Sequence, residues 1–282
     1  MKSKFFRSKD KLNNRRSGSV NFTAGAIITV IMISIIVIGM LWTPYDTEAM
    51  CGSLKLKGPS PAHIFGTDQF GRDVFSRVIR GAGSTLMIAL GTITIGGGTG
   101  MILGAVTGYF GGWLDEVVMR INDALASFPS VLLALVIISL TGSGKYKVMI
   151  ALGIAFIPSF ARMVRGEFMR VREEDYITSA KLMGVSTPRI MFVHILPNIL
   201  PSLLSSLSIG FNNAVIQEAG MSYLGIGVQP PDPSLGLMLS ESQTYLAGGP
   251  WCALFPGIFL VVLILGVGLL GEGVLDRFGG GR

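Results

Sequence analysis

Few residues in this sequence have the types and spacing that catalytic or metal chemistry requires. The stretch TGSGKY, Thr141–Tyr146, matches the end of a phosphate-binding loop, G-x-x-x-x-G-K-[ST]. Ser139 stands where the first glycine is required, and Tyr146 replaces the Ser or Thr that would bind Mg²⁺. With only two histidines, His63 and His194, no metal-ligand spacing occurs either. We therefore expect no nucleotide, metal or cofactor on this chain, and no catalytic residues.

Polar side chains inside an apolar segment form a second group of candidates. Asn212 and Asn213 lie within the segment 190–217, and Glu218 follows its end. Such groups are costly in lipid, so they are expected to face other helices or a hydrated path. For the two asparagines, hydrogen bonding between helices and path lining both remain open. For Glu218 we favour a role in a path or gate.

The apolar segments that must position these groups define the fold class. The chain has 282 residues, of which 14% are charged, whereas soluble domains have about 25%. A membrane-spanning helix needs about 20 apolar residues. The uncharged segments are 22–42, 81–114, 124–144, 148–161, 190–217 and 242–271. The sequence therefore predicts an all-α membrane protein with six transmembrane helices.

The distribution of Lys and Arg predicts the orientation. The tail 1–21 is rich in both, and the predicted inner loops carry more of them than the outer loops, as the positive-inside rule requires. We expect both termini in the cytoplasm of a prokaryote, in a multi-pass protein of the plasma membrane. The net charge of +6 then indicates membrane orientation and not a nucleic-acid partner.

The chain divides into three predicted regions. A basic cytoplasmic tail, 1–21, precedes the first transmembrane helix and an extracytoplasmic loop, 22–85. In that loop, 73–80 has the apolar spacing of a short amphipathic helix, on the outer membrane surface or against the bundle. Five further helices form the core, 86–282. Cys51 and Cys252 both fall on the outer side, where they could pair or remain unrelated thiols.

Glycines at a spacing of four indicate a close helix contact in the second span. This spacing places them on one helix face, where another backbone can approach. The segment lacks the Lys and acidic partners of a phosphate site, so we favour packing. The four residues are Gly96, Gly100, Gly104 and Gly108.

A short polar helix is predicted in the largest cytoplasmic loop, about 165–197. The acidic residues 173–175 suit a helix N-terminus, with Asp175 able to cap it. Tyr176, Ala180 and Met183 follow on one face, and Gly184 suits a C-terminal cap. So short a helix is marginal alone. It must pack either on its own bundle or in a groove of a partner.

A second helix is predicted directly after this one. Thr187 is its expected N-cap and Pro188 its first residue. The first helix also presents small residues, Thr178 and Ser179, beside its glycine stop, which would suit insertion into a partner's groove.

These residues resemble the loop E-A-A-x-x-x-G of ABC importer permeases, which is followed by I-x-L-P. Here Thr178-Ser179-Ala180 precede Gly184, and His194-Ile195-Leu196-Pro197 follow. Thr178 in place of Glu puts a fixed salt bridge there in doubt. Four stretches resemble the C-type subunit of the dipeptide, oligopeptide and nickel subfamily. They are FGTDQFGRDVFSRVIRGAGSTL, SAKLMGVSTPRIMFVHILPN, GMSYLGIGVQPPDPSLGLML and GEGVLDRF.

The resemblance implies a type I importer permease with the MetI-like fold. It implies a heterodimer with a homologous permease, two ABC ATPase subunits that bind ATP and Mg, and an extracytoplasmic solute-binding protein. The loop 173–187 would carry the coupling helix that an ATPase contacts. The implied coupling residues are Asp175, Tyr176, Thr178, Ser179, Ala180, Lys181, Leu182, Met183 and Gly184.

The solute stays open at this point. The resemblance implies di- or oligopeptides, with nickel or a metal chelate as the alternative. A stand-alone solute channel is a different class, but it would not explain the capped cytoplasmic helix. A membrane-embedded enzyme would need a convergent set of acid, base or metal residues.

Overall fold

The computed structural model describes residues 2–278, with side chains from 20 to 277, and this part is helical without a β-strand. The α-helices are Lys2–Leu41 (α1), Val74–Phe110 (α2), Gly112–Ala126 (α3), Ser130–Thr141 (α4), Lys145–Arg172 (α5), Asp175–Leu182 (α6), Thr187–Arg189 (α7), Leu196–Tyr223 (α8), Leu235–Ser242 (α9) and Trp251–Phe278 (α10). A π-helical segment, Ile190–Ile195, joins α7 to α8. The all-helical prediction is confirmed for the described residues.

In the described part of the chain, five helices are long and apolar enough to cross a membrane, or six if the bent pair α3 and α4 counts as one span, so this is a multi-pass membrane protein. The spans are Val20–Leu41, Val74–Phe110, Lys145–Arg172, Thr187–Tyr223 and Trp251–Arg277. The predicted third span, 124–144, is not one straight helix. It is divided between α3 and α4, which meet at an angle of 84°. Pro129 precedes α4 and cannot donate a helical hydrogen bond, which accounts for the break.

The basic residues of the predicted tail 1–21 lie almost entirely outside the residues whose side chains are described. The backbone from Lys2 onward continues into α1. The two cysteines that could have paired, Cys51 and Cys252, are both free thiols.

The short helix predicted at 73–80 forms, but it is not a separate element, and it packs against the bundle. These residues form the first turns of α2, which continues through the expected boundary at 85/86 without interruption. The side chain of Asp73 caps the helix by accepting a hydrogen bond of 2.8 Å from the Ser76 amide. Arg77 is 2% exposed and therefore does not face solvent.

Arg77 belongs to a buried ionic cluster at this end of the bundle. Its guanidinium lies 3.0 Å from Glu241 of α9, and Arg72 lies 3.2 Å from the same carboxylate. Arg72 also pairs with Asp68 at 2.6 Å. The cluster joins the loop before α2 to α9, which are distant in sequence.

The glycine stripe of α2 lies against α5. A Cβ atom at any of its four positions would lie 2.4–2.7 Å from an atom of α5, closer than van der Waals contact. Gly96 lies against Gly153, and Gly108 against Arg165, so the two helices run in the same direction. The missing side chains allow the backbones to approach closely, as in other membrane helix pairs.

The remaining long helices pack antiparallel to their neighbours. Gly25 of α1 contacts Leu270 of α10, and Gly273 contacts Phe22. Gly271 of α10 lies against Ser208 of α8. The end of α5, and with it α6, consequently lies at the same end of the helix bundle as the start of α1 and the end of α10.

Candidate docking site on the α6 segment

The short helix α6 forms close to its predicted position, but its N-terminus differs in detail. Asp175 is the first helical residue and Glu174 occupies the N-cap, without a side-chain capping hydrogen bond. The acidic residues therefore favour the helix through its dipole and not through a cap. The following helix is also shifted by one residue, because Ser186 and not Thr187 is its N-cap.

The C-terminus of α6 is fixed by Gly184. Its φ of +78° is a left-handed conformation that glycine adopts without steric cost. The amide of Val185 donates to Ala180 O at 3.1 Å, and that of Gly184 to Lys181 O at 3.0 Å. This pair of bonds is a Schellman motif, which satisfies the last carbonyls and ends the helix abruptly.

One face of α6 is packed into its own bundle. Ile177 and Ala180 are buried, and Ile177 belongs to an apolar cluster with Phe168 of α5 and Ile199 of α8. The predicted stripe contained Ala180 but also Tyr176 and Met183, both of which are exposed. Packing on the bundle therefore involves Ile177, which sequence analysis did not single out.

The other face of α6 is open and carries large apolar side chains at its end. Leu182 is 85% exposed and Met183 76% exposed. Exposed large apolar groups that lie together beside polar ones are typical of a protein interaction site. The remaining implied coupling residues are exposed as well: Asp175, Thr178, Ser179, Lys181 and Gly184.

Two side-chain contacts tie α6 to the long helices. The amide of Asn198, near the start of α8, donates a hydrogen bond of 2.8 Å to the Tyr176 hydroxyl. The ammonium of Lys181 lies 5.4 Å from the centre of the Tyr109 ring, at the end of α2. Displacement of α6 would therefore act on α8 and α2 at once. Sequence analysis missed Asn198 and Tyr109 because both partners are remote along the chain.

The three candidate path residues do not converge. Asn213 is exposed on α8, whereas Asn212 is half-buried and its Oδ1 is a buried atom without a hydrogen-bond partner in the described part of the chain. Glu218 is fully buried, and its carboxylate accepts hydrogen bonds from Thr85 (2.8 Å) and Ser222 (2.7 Å). In this arrangement Glu218 joins α8 to α2 through Thr85.

The stretch that resembles a phosphate-binding loop lies between two helices, and the described side chains form no metal-binding cluster. The stretch at 141–146 connects α4 to α5, and Lys145 forms an ion pair of 2.9 Å with Asp232. Among residues 20–277, whose side chains are described, no group of three His, Cys, Asp or Glu could hold a metal ion.

Comparison with known proteins gives consistent matches. The family model described as "Binding-protein-dependent transport system inner membrane component" matches residues 100–279. The chain is 37% identical to a dipeptide transport system permease protein, DppC, of Alkalihalophilus pseudofirmus, over 89% of this chain and 84% of that protein. It is 37% identical to a glutathione transport system permease protein, GsiD, of Pectobacterium atrosepticum, over 90% and 84% of the two chains. A DppC of Haemophilus influenzae is 34% identical over 89% of each chain.

Proposed function

The chain belongs to the family of binding-protein-dependent transport system inner membrane components, and we propose that it is a permease subunit of an ATP-driven peptide importer. The relatives are named for a dipeptide and for glutathione, itself a short peptide. These names favour di- or oligopeptides as the solute and do not favour nickel or a metal chelate.

We propose the assembly that this family membership supports. The chain pairs with a homologous permease in the lipid bilayer of a prokaryotic plasma membrane. An extracytoplasmic binding protein delivers the solute, and two ATPase subunits bind ATP and Mg and perform the hydrolysis. This chain then contributes the path and its movement, with no catalytic step of its own.

We propose six membrane crossings with both termini in the cytoplasm. The direction of the helices supports this number. Since α2 and α5 run in the same direction, the chain between them must return across the membrane, which assigns one crossing to the bent pair α3 and α4. The α6 segment then lies on the cytoplasmic side together with the ends of the chain.

The proposed coupling role rests on the difference between the two faces of α6. Ile177 and Ala180 fix the helix to the bundle, while Leu182 and Met183 remain exposed at its end. An ATPase groove that covers these two side chains would remove apolar surface from water, which is favourable. Through Tyr176 and Lys181, movement of the ATPase would then reach α8 and α2.

We also propose that Asn213 faces the path, whereas Glu218 does not. Asn213 is exposed on the same face of α8 as Gln217, four residues later. Gln217 donates a hydrogen bond of 3.2 Å to Ser130 at the start of α4. Ile209 and Ile216 are exposed on the same side, so this face is mixed, but the two amides on it are more compatible with water than with lipid.

The test is ATP-driven import by the complete transporter in proteoliposomes, with the dipeptide alanyl-alanine as the probe. Leu182→Asp is expected to abolish import and co-purification of the ATPase subunits. Leu275→Asp is the matched control, since Leu275 is also an exposed leucine at the α6 end of the bundle. Import by the wild type without ATP would instead support a stand-alone channel, and unimpaired import by Leu182→Asp would refute the coupling role.

A further inference from the structure

The helix that follows α6 contains one turn that is wider than an α-helical turn. It runs as one helical segment from Thr187 to Tyr223, within which Ile190–Ile195 are π-helical. The amide of Leu196 donates a hydrogen bond to Met191 O, five residues earlier, where an α-helix would use the carbonyl four residues earlier. The stretch His194–Pro197, which resembles the I-x-L-P motif, therefore lies at the end of a wide turn and not in a regular helix.

The buried side of this helix has one extra residue at the same turn. Four of its residues belong to the apolar cluster that also contains Ile177, and each is at most 4% exposed: Ile190, Ile195, Ile199 and Leu203. The last three follow each other at a spacing of four, as on one face of an α-helix, whereas Ile190 and Ile195 are five apart. Five residues of an α-helix cover about 500°, so in that form these two side chains would point about 140° apart. The π turn brings both of them onto the bundle.

Asn198 connects the wide turn to α6. Its side-chain amide donates one hydrogen bond of 2.8 Å to His194 O, a carbonyl of the π turn, and another of 2.8 Å to the Tyr176 hydroxyl of α6. One side chain therefore holds both the short helix and the wide turn. A shift of Tyr176 would act on Asn198 at the point where the wide turn meets α8.

The outer side of the wide turn is open within this chain. Phe192 is 68% exposed and Val193 57% exposed, whereas Ile190 and Ile195 on the inner side are buried. The turn is thus fixed along one side and by Asn198, and its outer side leaves room for a change of shape.

We propose that the π turn Ile190–Ile195 is the hinge at which a displacement of α6 becomes a movement of α8. This rests on the proposed coupling role of α6, which it extends to the element that transmits the displacement. Turns of this kind are rare, occur mostly as single turns inside α-helices and are frequent at functional sites.

The extra residue gives the helix two forms at this point. In one form the extra residue lies in Ile190–Ile195, and in the other it lies in the next turn, which rotates the residues in between by about 100°. When the ATPase displaces α6, Asn198 draws the turn from the first form to the second. Packed helices exchange between such discrete arrangements and do not deform continuously, so a small displacement at α6 shifts α8.

The first test is hydrogen–deuterium exchange of the complete transporter in lipid nanodiscs, measured by mass spectrometry. The backbone amides of residues 191–196 are compared between the nucleotide-free transporter and the transporter trapped with ATP and vanadate. Their exchange rates are expected to differ at least threefold, because these amides change their acceptors when the extra residue moves.

The end of α5 is the control segment for this test. Phe168 and Val171 belong to the same apolar cluster at the same end of the bundle, in a helix that is α-helical there. The amides of residues 168–172 should keep their exchange rates. Equal changes in both segments, or no change in residues 191–196, would overturn the inference.

The second test removes the extra residue. After deletion of Val193, Ile190 and Ile195 are four positions apart, so an ordinary α-helix keeps both in the cluster and the hinge is lost. Val193→Ala is the matched control, since it shortens the same exposed side chain and keeps the spacing of five. The deletion variant is expected to import at least fivefold less alanyl-alanine per ATP hydrolysed while the ATPase subunits still co-purify, and Val193→Ala should match the wild type.

The outcomes distinguish the hinge from the proposed function. Import by the deletion variant at the wild-type ratio would overturn the hinge. If the deletion variant does not assemble, the exchange comparison decides, because it uses the unmodified chain. Absence of ATP-driven import by the wild type would instead contradict the proposed function.

Discussion

The side-chain amide of Asn198 donates a hydrogen bond of 2.8 Å to the Tyr176 hydroxyl, and so joins α6 to the start of α8. The α6 segment is thereby held by a membrane-crossing helix while its far end, at Leu182, remains open. A partner bound at the open end of α6 could therefore displace this helix, and the attachment of α6 to α8 would pass the displacement to the bundle.

Loss of the Tyr176–Asn198 bond should weaken coupling without preventing assembly. A side-chain hydrogen bond contributes about 1 kcal/mol, so Tyr176→Phe should lower the peptide imported per ATP hydrolysed while the ATPase subunits still co-purify. Tyr176→Phe is cleaner than a change at Asn198, because Asn198 also donates to His194 O. An unchanged ratio of import to hydrolysis would show that this bond transmits nothing.

The end of α6 should tolerate Asn better than Val at Gly184. Left-handed backbone costs a residue with a Cβ atom about 1–2 kcal/mol, and Asn tolerates it better than β-branched residues. No neighbour lies within 4 Å of an added Cβ, so the difference is conformational and not steric. The amount of ATPase that co-purifies should fall in the order Gly, Asn, Val at position 184. If the Val variant retains as much ATPase as the wild type, the abrupt end of α6 has no role in docking.

The α2–α5 contact should be sensitive to a single methyl group. An alanine Cβ at position 104 would lie 2.4 Å from Ala161 O, so Gly104→Ala should destabilise the protein by about 1–3 kcal/mol. Gly98→Ala on the same helix is the control. An added Cβ there meets nothing within 4 Å, and alanine favours the helix by up to about 1 kcal/mol.

Thermal unfolding in detergent measures this difference. The midpoint of Gly104→Ala should fall and that of Gly98→Ala should stay or rise. Equal midpoints for the two variants would show that α2 and α5 do not depend on the close approach.

Removal of the shared carboxylate in the ionic cluster should release α9 from the start of α2. Glu241→Gln leaves Arg77, which is almost fully buried, with Asp68 at 3.6 Å as its remaining carboxylate and a hydrogen bond of 3.4 Å to Thr47 O among the described residues. Breaking a buried pair costs about 3–5 kcal/mol, and partial exposure of Glu241 places the expected loss at or below the lower end of that range. The release of α9 would be detected as faster proteolysis near Ser242 in right-side-out vesicles. If the variant is cleaved as slowly as the wild type, the ionic cluster does not hold α9 in place.

Local signals in the sequence predicted the position of α6 but not the residues that attach it to the long helices. The acidic start and Gly184 act within one or two turns, so the position and abrupt end of the helix follow from nearby residues. The partner of Tyr176 is Asn198, 22 positions later, and is set by tertiary packing. The helix spacing placed Tyr176, Ala180 and Met183 on one face, of which the bundle buries only Ala180, together with Ile177.

Contacts between residues remote in the sequence also explain what could not be predicted at α2 and α8. The sequence indicated an apolar stripe at 73–80 but not the burial of Arg77, because its counter-ions, Asp68 and Glu241, are supplied by the preceding loop and by α9. The hydrogen bond that Glu218 accepts from Thr85 of α2 was not predictable either, because a lone carboxylate in an apolar segment has no visible partner. The glycine spacing indicated a close helix contact, but it could not identify α5 as the neighbour.

The central claim is that the open end of α6 contacts an ATPase subunit, and site-specific photocrosslinking tests it most directly. The photoreactive residue p-benzoylphenylalanine is introduced at Leu182 in the assembled transporter, with Trp113, an exposed side chain at the start of α3, as the control position. A crosslink to the ATPase from position 182 and none from position 113 is the predicted result. No crosslink from position 182 in a transporter that imports peptide with ATP would contradict the account.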